Sequence, residues 1–417
     1  MLVGENPLPN YVATKLLLQQ GGTAYLVHTT DTLDEATRLK KSFGSEFNVE
    51  LRSLNHYESD AYHIQKEINA KLKSINNGKI GLNYTGGTKA MSAHSYRTLF
   101  YEEIQDKTGK VYRRRKSIIF SYLDPRRLEI CIDSEDNERE RLKVNPDTLE
   151  LKLKTLFQLH GLTLNNSPTQ EAQLPDLAQE LVKVFADKTK VTQWFDWYRK
   201  TFWEQAHKKK KDDAWGDWKN ETDLPNVSIS LDTLNKFLPE IVTSFETKKI
   251  LKDDKQLLWT ELKKVGCFTK NKHFCEWLDG KWLEHYVLDQ IKDIANSQLI
   301  QDYGLNFEIL LQGTKDGFEF DVAFTRGYQL FAISCTTAIE RKLCKSKLFE
   351  AYLRARQMGG EEARVALVCC SDEPDTLKAE IAETLSNKKI AVFGRADLLN
   401  LSNNIIKWIV ENDREAK

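Results

Sequence analysis

The stretch NYTGGTKAMS, residues 83–92, decides how the rest of the chain is read. It follows a short apolar run containing Ile80 and Leu82 and leads into a helical pattern over 90–100. Gly86 and Gly87 let the backbone turn tightly and come close to a ligand. Thr85, Thr88 and Lys89 then set hydroxyls, amides and one cation at a helix N-terminus, where unpaired N–H groups and the macrodipole favour anions. The spacing is not that of the P-loop, which needs two glycines five apart followed by Lys and Ser or Thr. An isolated TGGT is ordinarily a turn with a threonine helix cap. Its surroundings argue for more.

Upstream, residues 1–4 read as the end of a short strand and 5–10, with Pro7 and Pro9, as a rigid loop. A helix over 11–20 stops at Gly21 and Gly22. A buried strand over 24–28, the polar cluster 29–32 and a helix over 33–43 follow, with Thr30 or Asp31 as a helix cap. A strand over 48–54, a helix over 61–75 and a strand over 79–84 lead back to the opening stretch. Strands alternating with helices predict an α/β, Rossmann-like, doubly wound parallel sheet. Ligands of such sheets bind beyond the carboxyl ends of the strands. The loops 4–10, 29–32 and 85–92 fall at that edge together, and all three are rich in Thr, Asn and Gly.

At 417 residues the chain is long for one core, and two or three domains are expected. Hydrophobic residues make up 41% and charged residues 29%, the balance of a globular protein. Lys and Arg number 61, as do Asp and Glu, so any surface that attracts a polyanion must be local. No apolar run is long enough for a membrane span and no signal-peptide pattern opens the chain, which predicts a cytoplasmic protein without membrane contact. The seven cysteines (Cys131, Cys267, Cys275, Cys335, Cys344, Cys369, Cys370) contain no CxxC pair and read as buried reduced thiols. The eight histidines are scattered without HExxH spacing, which argues against a histidine-rich zinc site.

Arg113, Arg114, Arg115 and Lys116 read as a solvated flank before strands over 117–122 and 127–132. The charged segment 133–142 marks the edge of a first domain, 1–142. From 143 to 265 the pattern is mainly helical, with apolar residues at helical spacing over 149–160 and 177–186. Trp194, Trp197, Trp203, Trp215 and Trp218 interleave with the run HKKKK, 207–211. Aromatics beside lysines can stack on nucleic acid, but a solvated helix end with its indoles packed inside is the commoner outcome. A winged-helix-like content is conceivable here, and no recognition helix stands out.

The last third, 266–417, carries more chemistry. A helix over 280–294 presents Glu284 among Trp282, Leu283, Tyr286 and Val287. A strand over 306–312, a turn over 313–317 and the run GFEFDVAF, 317–324, follow. The period of two puts Glu319 and Asp321 on one face and Phe318, Phe320 and Val322 on the other. Two carboxylates so placed among aromatics are costly unless they meet a cation or water. A strand over 329–335, a helix over 342–358 and strands over 364–369 and 389–393 complete the pattern.

This order of elements resembles the PD-(D/E)XK nuclease core. In that family an Asp and a Glu from adjacent strands, often joined by a helix Glu, hold Mg²⁺ or Mn²⁺, which activates water and stabilises charge on the scissile phosphate, while a Lys assists. The resemblance implies Glu284 as the helix acid, Asp321 as the strand Asp and Glu319 as a neighbouring acid, so that the metal set is Glu284, Glu319 and Asp321. The chain departs from the pattern at the Glu-x-Lys step, which falls on Ser334, Cys335 and Thr336. Ser334 stands where the second acid is expected. Lys342, Lys345 or Lys347 on the following helix is left to supply the cation, with Lys345 counted in the candidate catalytic set beside Asp321, Glu319, Glu284 and Ser334.

Both ends together resemble the CARF-nuclease effectors of type III CRISPR systems, over nearly the whole chain. The residues that carry the resemblance are TGGTKAMS, the opening VGENPLPN and the GFEFDV hairpin; the helical middle adds no motif. The resemblance implies a homodimer that binds a cyclic oligoadenylate, most often the tetra-adenylate, across its two-fold axis. Asn10, Thr29, Thr30, Gly86, Gly87, Thr88, Lys89 and Met91 would surround the ring. A two-fold ligand suits an isologous interface in which each loop is used twice, and binding would tilt the dimer toward a state that aligns two nuclease sites. The function implied is activator-gated, metal-dependent cleavage of DNA or RNA in antiviral defence. Three other readings stay open: a C-terminal domain that only binds nucleic acid, a ligand-gated transcription regulator, and slow cleavage of the cyclic ligand around Thr29, Thr88 or Lys89.

Overall fold

The computed structural model describes residues 1–415 apart from 74, 76–77, 107–108, 116–117, 134–139, 211–213, 267, 312–316 and 386–388. The N-terminal sheet is assembled around the first three residues. Leu2 bridges Val27 in parallel, Val3 N donates to Val27 O (2.8 Å), and Leu2 N donates to Asn83 O (3.3 Å). This segment joins the parallel pair Thr23–His28 and Asn48–Ser53 to the strands Ile80–Asn83, Ile118–Asp124, Glu129–Ile132 and Glu140–Lys143. Helices Leu8–Leu17, Leu33–Phe43, Ala61–Lys73 and Lys89–Phe100 fill the crossovers. Three loops, 4–7, 29–32 and 84–88, therefore leave the same carboxyl edge; the first and third are shorter than the expected 4–10 and 85–92, because the helices Leu8–Leu17 and Lys89–Phe100 begin within those stretches.

Local chemistry adds elements that periodicity did not show. Residues after the helix Lys89–Phe100 form an antiparallel hairpin, Tyr101–Asp106 with Gly109–Arg114, in which Arg113 and Arg114 lie; Lys116 is outside the described residues. The charged segment expected as a connector ends in the edge strand Glu140–Lys143, where Arg141 (2.7 Å) and Lys143 (2.8 Å) both reach Glu129. Its residues 134–139 are outside the described set, as are the expected turn residues 313–316.

The C-terminal sheet has six strands in the order Ile390–Phe393, Arg364–Cys369, Gln329–Thr336, Gly317–Arg326, Asp302–Leu311 and Leu162–Leu164. The sixth comes from the middle of the chain, which is thus built into the sheet it precedes. One apolar core runs from Leu177 and Trp194 through Trp277, Trp282 and Tyr286 to Phe324 and Phe331, so the middle helices cover one face. A second core joins Val3, Leu8 and Tyr11 of the N-terminal domain to Phe318, Phe320, Leu330 and Tyr352 on the other face. Trp194 and Trp197 are buried, the packed-indole outcome. The run that begins at His207 is not a helix end, however. His207–Lys209 pairs antiparallel with Trp215–Trp218, and His207 is buried between the rings of Trp203 (4.0 Å) and Trp218 (3.7 Å); Lys211 is outside the described residues.

The six described cysteines are buried free thiols, and among the described residues no helix is long and apolar enough to cross a membrane.

Candidate functional site

Asp321 sits where two strands part. Pairing between Gly317–Arg326 and Gln329–Thr336 runs from Arg326 opposite Gln329 to Val322 opposite Ile333 and stops there. One step further, Asp321 Oδ2 accepts from Cys335 N (2.7 Å) and from Ser334 Oγ (3.0 Å). A carboxylate thus replaces a rung of the ladder. On its other side Asn306 adopts a left-handed backbone (φ 63°), and the pairing skips from Leu305 opposite Val322 to Phe307 opposite Phe320. The register is the same on both sides, so no residue is inserted and only the pairing at Asn306 and Asp321 is lost. Asp321 keeps its second oxygen without a hydrogen bond among the described residues.

Glu284 faces this fork from the first turn of the helix Trp282–Ile294, which follows a widened turn at Trp277–Lys281. Burial, reinforced by the charges of Asp321 and Glu319, pushes its carboxyl from 4.5 up to about 8, against the pull of Lys281 and Lys347. Burial, with Asp321 and Glu284 beside it, likewise raises the Cys335 thiol well above its ordinary value, and Lys347 opposes the rise. Of the three candidate lysines, Lys347 is the one whose charge acts at the site. Lys345 is turned instead to Glu380, which also holds Arg341. Residues two apart on a helix lie roughly 200° apart around its axis, so only one of the pair can face Glu284. Lys342 is exposed.

Glu319 is exposed and lies opposite Glu308 in the strand register, a like-charge pair. Both line a cleft of about 610 Å³ between the middle helices and the sheet, along with Glu284, Lys281, His273 and His285. Glu284, Glu319 and Asp321 do not converge as the expected three-ligand cage: among the described residues no three His, Cys, Asp or Glu side chains are placed to hold a metal ion. The reason is the strand repeat, which sets Glu319 about 7 Å along from Asp321. What remains is a pair, Glu284 and Asp321, whose mutual repulsion Lys281 and Lys347 offset only in part. That donor set fits a hard divalent cation of the magnesium kind, which takes one or two carboxylates and completes its shell with water and substrate phosphate. Sequence reasoning passed over Lys281 and His285. His285 is buried, its Nδ1 accepts from Gln173 N (2.9 Å), and burial holds it neutral, down to about 3. Its position beside Glu284 was the available signal.

At the other end of the chain, Gly4, Gly86 and Gly87 bring two loops into backbone contact. A Cβ at Gly86 would strike the Leu2 carbonyl oxygen, one at Gly4 would lie 3.0 Å from Gly87 N, and Gly87 has φ +74°. Thr88 caps the helix Lys89–Phe100, accepting from Met91 N (3.1 Å) and donating to Glu58 O (3.0 Å). Lys89 is exposed beside it. Thr29 and Thr32 bind each other's backbone N–H groups (3.2 and 3.0 Å), and Thr30 is exposed with its N–H on Asn55 O (2.9 Å). The structure thus gathers Gly86, Gly87, Thr88, Lys89, Thr29 and Thr30 along one edge. Asn10 and Met91 lie beneath it, both fully buried. Asn10 Nδ2 donates to Leu2 O (2.8 Å), and its Oδ1 has no hydrogen-bond partner among the described residues. Reading from sequence missed Tyr84, Ser92 and Tyr96, which with Gly87 and Lys89 line a depression of about 500 Å³.

Residues 1–119 match the family described as Card1 CARF domain, and residues 271–412 match Card1-like, endonuclease domain. Three solved structures share the fold. Protein VC1899 from Vibrio cholerae is 15% identical with a TM-score of 0.69, over 99% of this chain and 97% of that one. Can2 from Sulfobacillus thermosulfidooxidans, solved with cyclic tetra-adenylate, is 15% identical with a TM-score of 0.65, over 98% and 95%. A type III CRISPR defence DNA nuclease activated by cyclic oligoadenylate is 15% identical with a TM-score of 0.50, over 88% of this chain and 44% of that one. No curated protein sequence matches.

Proposed function

We propose, from the premise that this chain is a CARF-domain effector nuclease of the type III CRISPR kind, that it is a divalent-metal-dependent nuclease switched on by a cyclic oligoadenylate. The observation that carries the catalytic half is the carboxylate pair at the strand fork: Asp321, fixed by Ser334 and Cys335, faces a half-buried Glu284 at the wall of an open cleft. Glu284 and Asp321 would hold the cation, with Glu319 one step out toward solvent. When bound, Mg²⁺ or Mn²⁺ supplies an activated water and charge stabilisation for a scissile phosphate. Lys347 takes the cationic role assigned to Lys345, and Ser334 acts as a positioning residue that orients Asp321 rather than as a ligand. On this reading the Ser334-Cys335-Thr336 departure is tolerated because Ser334 and the Cys335 N–H hold the remaining acid.

The sensing half rests on Lys89, Thr88 and the Gly86–Gly87 backbone, a site for phosphate oxygens that needs no global positive charge. Can2, which shares the fold, was solved with cyclic tetra-adenylate, and we take the same ring as activator. Asn10 and Met91 then serve the loop from below. A homodimer is supported by the helix Arg341–Gly359, which leaves Leu343, Phe349 and Leu353 between 40% and 47% exposed, Phe349 and Leu353 one turn apart and Leu343 about 80° round the helix from Leu353. Segments 1–142, 143–265 and 266–417 act as sensor, bridge and nuclease.

The test is a cleavage assay on supercoiled plasmid and on labelled single-stranded DNA and RNA. It is run with Mn²⁺ or Mg²⁺, with and without cyclic tetra-adenylate. Cleavage that needs both activator and metal, and disappears in Asp321→Ala while activator binding persists, is the expected result. Tight activator binding without any cleavage would favour the second reading, a sensor whose C-terminal domain only binds nucleic acid, for which the missing second acid at Ser334 speaks.

A further inference from the structure

We infer that the hairpin formed by His207–Lys209 and Trp215–Trp218 is a docking surface for a single strand of nucleic acid on its way to the cleft of Glu284. The inference rests on the nuclease reading above and deepens it.

Lys208, Lys209 and Lys210 are all exposed on a chain whose formal charges cancel, and among the described residues Lys208 and Lys210 have no carboxylate partner. Such a local cluster attracts a polyanion where the whole molecule does not. The same hairpin carries a rigid aromatic layer. His207 is clasped between Trp203 and Trp218, and Trp215 packs edge-on against Trp203 (5.1 Å). Trp215 remains half-buried, with the Lys209 ammonium 5.4 Å from its ring centroid. Lys208 and Lys210 lie against Gly216 on the other face of the hairpin, so the indole offers one stacking platform with cations on both sides of the hairpin; a duplex hides the base faces that the ring would meet.

The hairpin is also tied to the catalytic side. The turn that precedes it, Tyr198–Trp203, is joined to the turn before the Glu284 helix by a hydrogen bond from the Tyr198 hydroxyl to Asp279. Lys281, two residues beyond Asp279, lines the cleft itself. The hairpin and the cleft wall at Lys281 are thus parts of one packed unit, joined through Tyr198 and Asp279.

The experiment measures binding in EDTA, so that it is independent of cleavage. The full-length protein, saturated with cyclic tetra-adenylate, is titrated into a fluorescent 20-nucleotide single strand, as DNA and as RNA, and into the matching duplex. Trp215→Ala and the triple change Lys208→Glu, Lys209→Glu, Lys210→Glu are each expected to weaken single-strand binding at least tenfold. The triple change should also flatten the salt dependence by about 2 in log–log slope. Trp215→Phe should restore most of the loss, which a merely structural role would not predict, and unchanged activator affinity shows that the fold is intact. Wild-type affinity in both variants overturns the inference while leaving the nuclease reading to the Asp321→Ala assay. Equal or stronger binding of the duplex, with the same insensitivity to Trp215→Ala, overturns it too.

Discussion

Lys345 and Lys347 show how far two residues on one helix can differ in role. Lys345 is spent on Glu380, whereas the Lys347 charge reaches Glu284 and Cys335. Lys347→Ala should lower kcat about 10²-fold or more, as expected for losing a charge that faces the reacting phosphate, while Lys345→Ala should change kcat only a few-fold. Single-turnover cleavage of a labelled strand separates them. A second prediction concerns His160, which lies against both the Leu156 carbonyl (3.0 Å) and Asn6 (3.2 Å) of the sensor's first loop. Burial lowers its pKa from 6.5 to about 4. The folded state therefore binds fewer protons than the unfolded chain between those values, so its stability is complete above 6.5 and falls as pH drops toward 4. Denaturant unfolding should show a loss on the order of 1–3 kcal/mol across that window, and His160→Gln should remove that part of the slope.

At the scale of elements, the first loop and the TGGT loop are locked by backbone contact, not by side chains. Gly86→Ala would drive a methyl into the Leu2 carbonyl that Asn10 also holds. The expected result is a destabilisation of about 1–3 kcal/mol, with activator affinity reduced at least tenfold; calorimetric titration with cyclic tetra-adenylate reads the second effect directly. The fork at Asp321 obeys a similar logic. Strand pairing is given up at one rung, and the carboxylate, the Ser334 hydroxyl and the Cys335 N–H restore two hydrogen bonds in its place. Alternation along GFEFDVAF made the face of Glu319 and Asp321 readable, and burial follows it, with Phe318, Phe320 and Val322 inside. The fork was not readable, because no local signal says where two strands separate.

For the whole molecule, the second core packs the N-terminal domain directly against the C-terminal sheet. Asn6, in the first sensor loop, lies so close to Gly360 at the end of the long helix Arg341–Gly359 that a Cβ there would meet its Nδ2 at 2.7 Å. That helix bears Lys347 in its second turn and the exposed side chains of Leu343, Phe349 and Leu353. The first sensor loop is thus packed against the helix that carries the proposed catalytic lysine and the proposed dimer face. Leu343→Glu with Leu353→Glu should shift the protein to monomer in sedimentation velocity and abolish activator-dependent cleavage, since a two-fold ring needs both copies. Unchanged sedimentation would place the dimer contact elsewhere.

Sequence by itself determined the repeating pattern and the chemical candidates. The helix Leu33–Phe43 follows from its apolar spacing, although its cap falls at Thr32 rather than at Thr30 or Asp31, and the strand Arg364–Cys369 follows from an unbroken apolar run; TGGTKAMS marks its loop because glycine pairs and helix caps are local chemistry. Tertiary structure alone decided which candidates meet. It placed Lys347 rather than Lys345 toward Glu284, brought Glu284 to Asp321 from another element, and sank Asn10 and Met91 below the loop edge. It also drew Leu162–Leu164 from the middle of the chain into the C-terminal sheet. Local periods fix which face a side chain takes; which partner waits on that face depends on contacts between separate elements, from tens of positions apart (Lys347 and Glu284) to more than a hundred (Leu164 and Ile309), and those are chosen by packing the whole core.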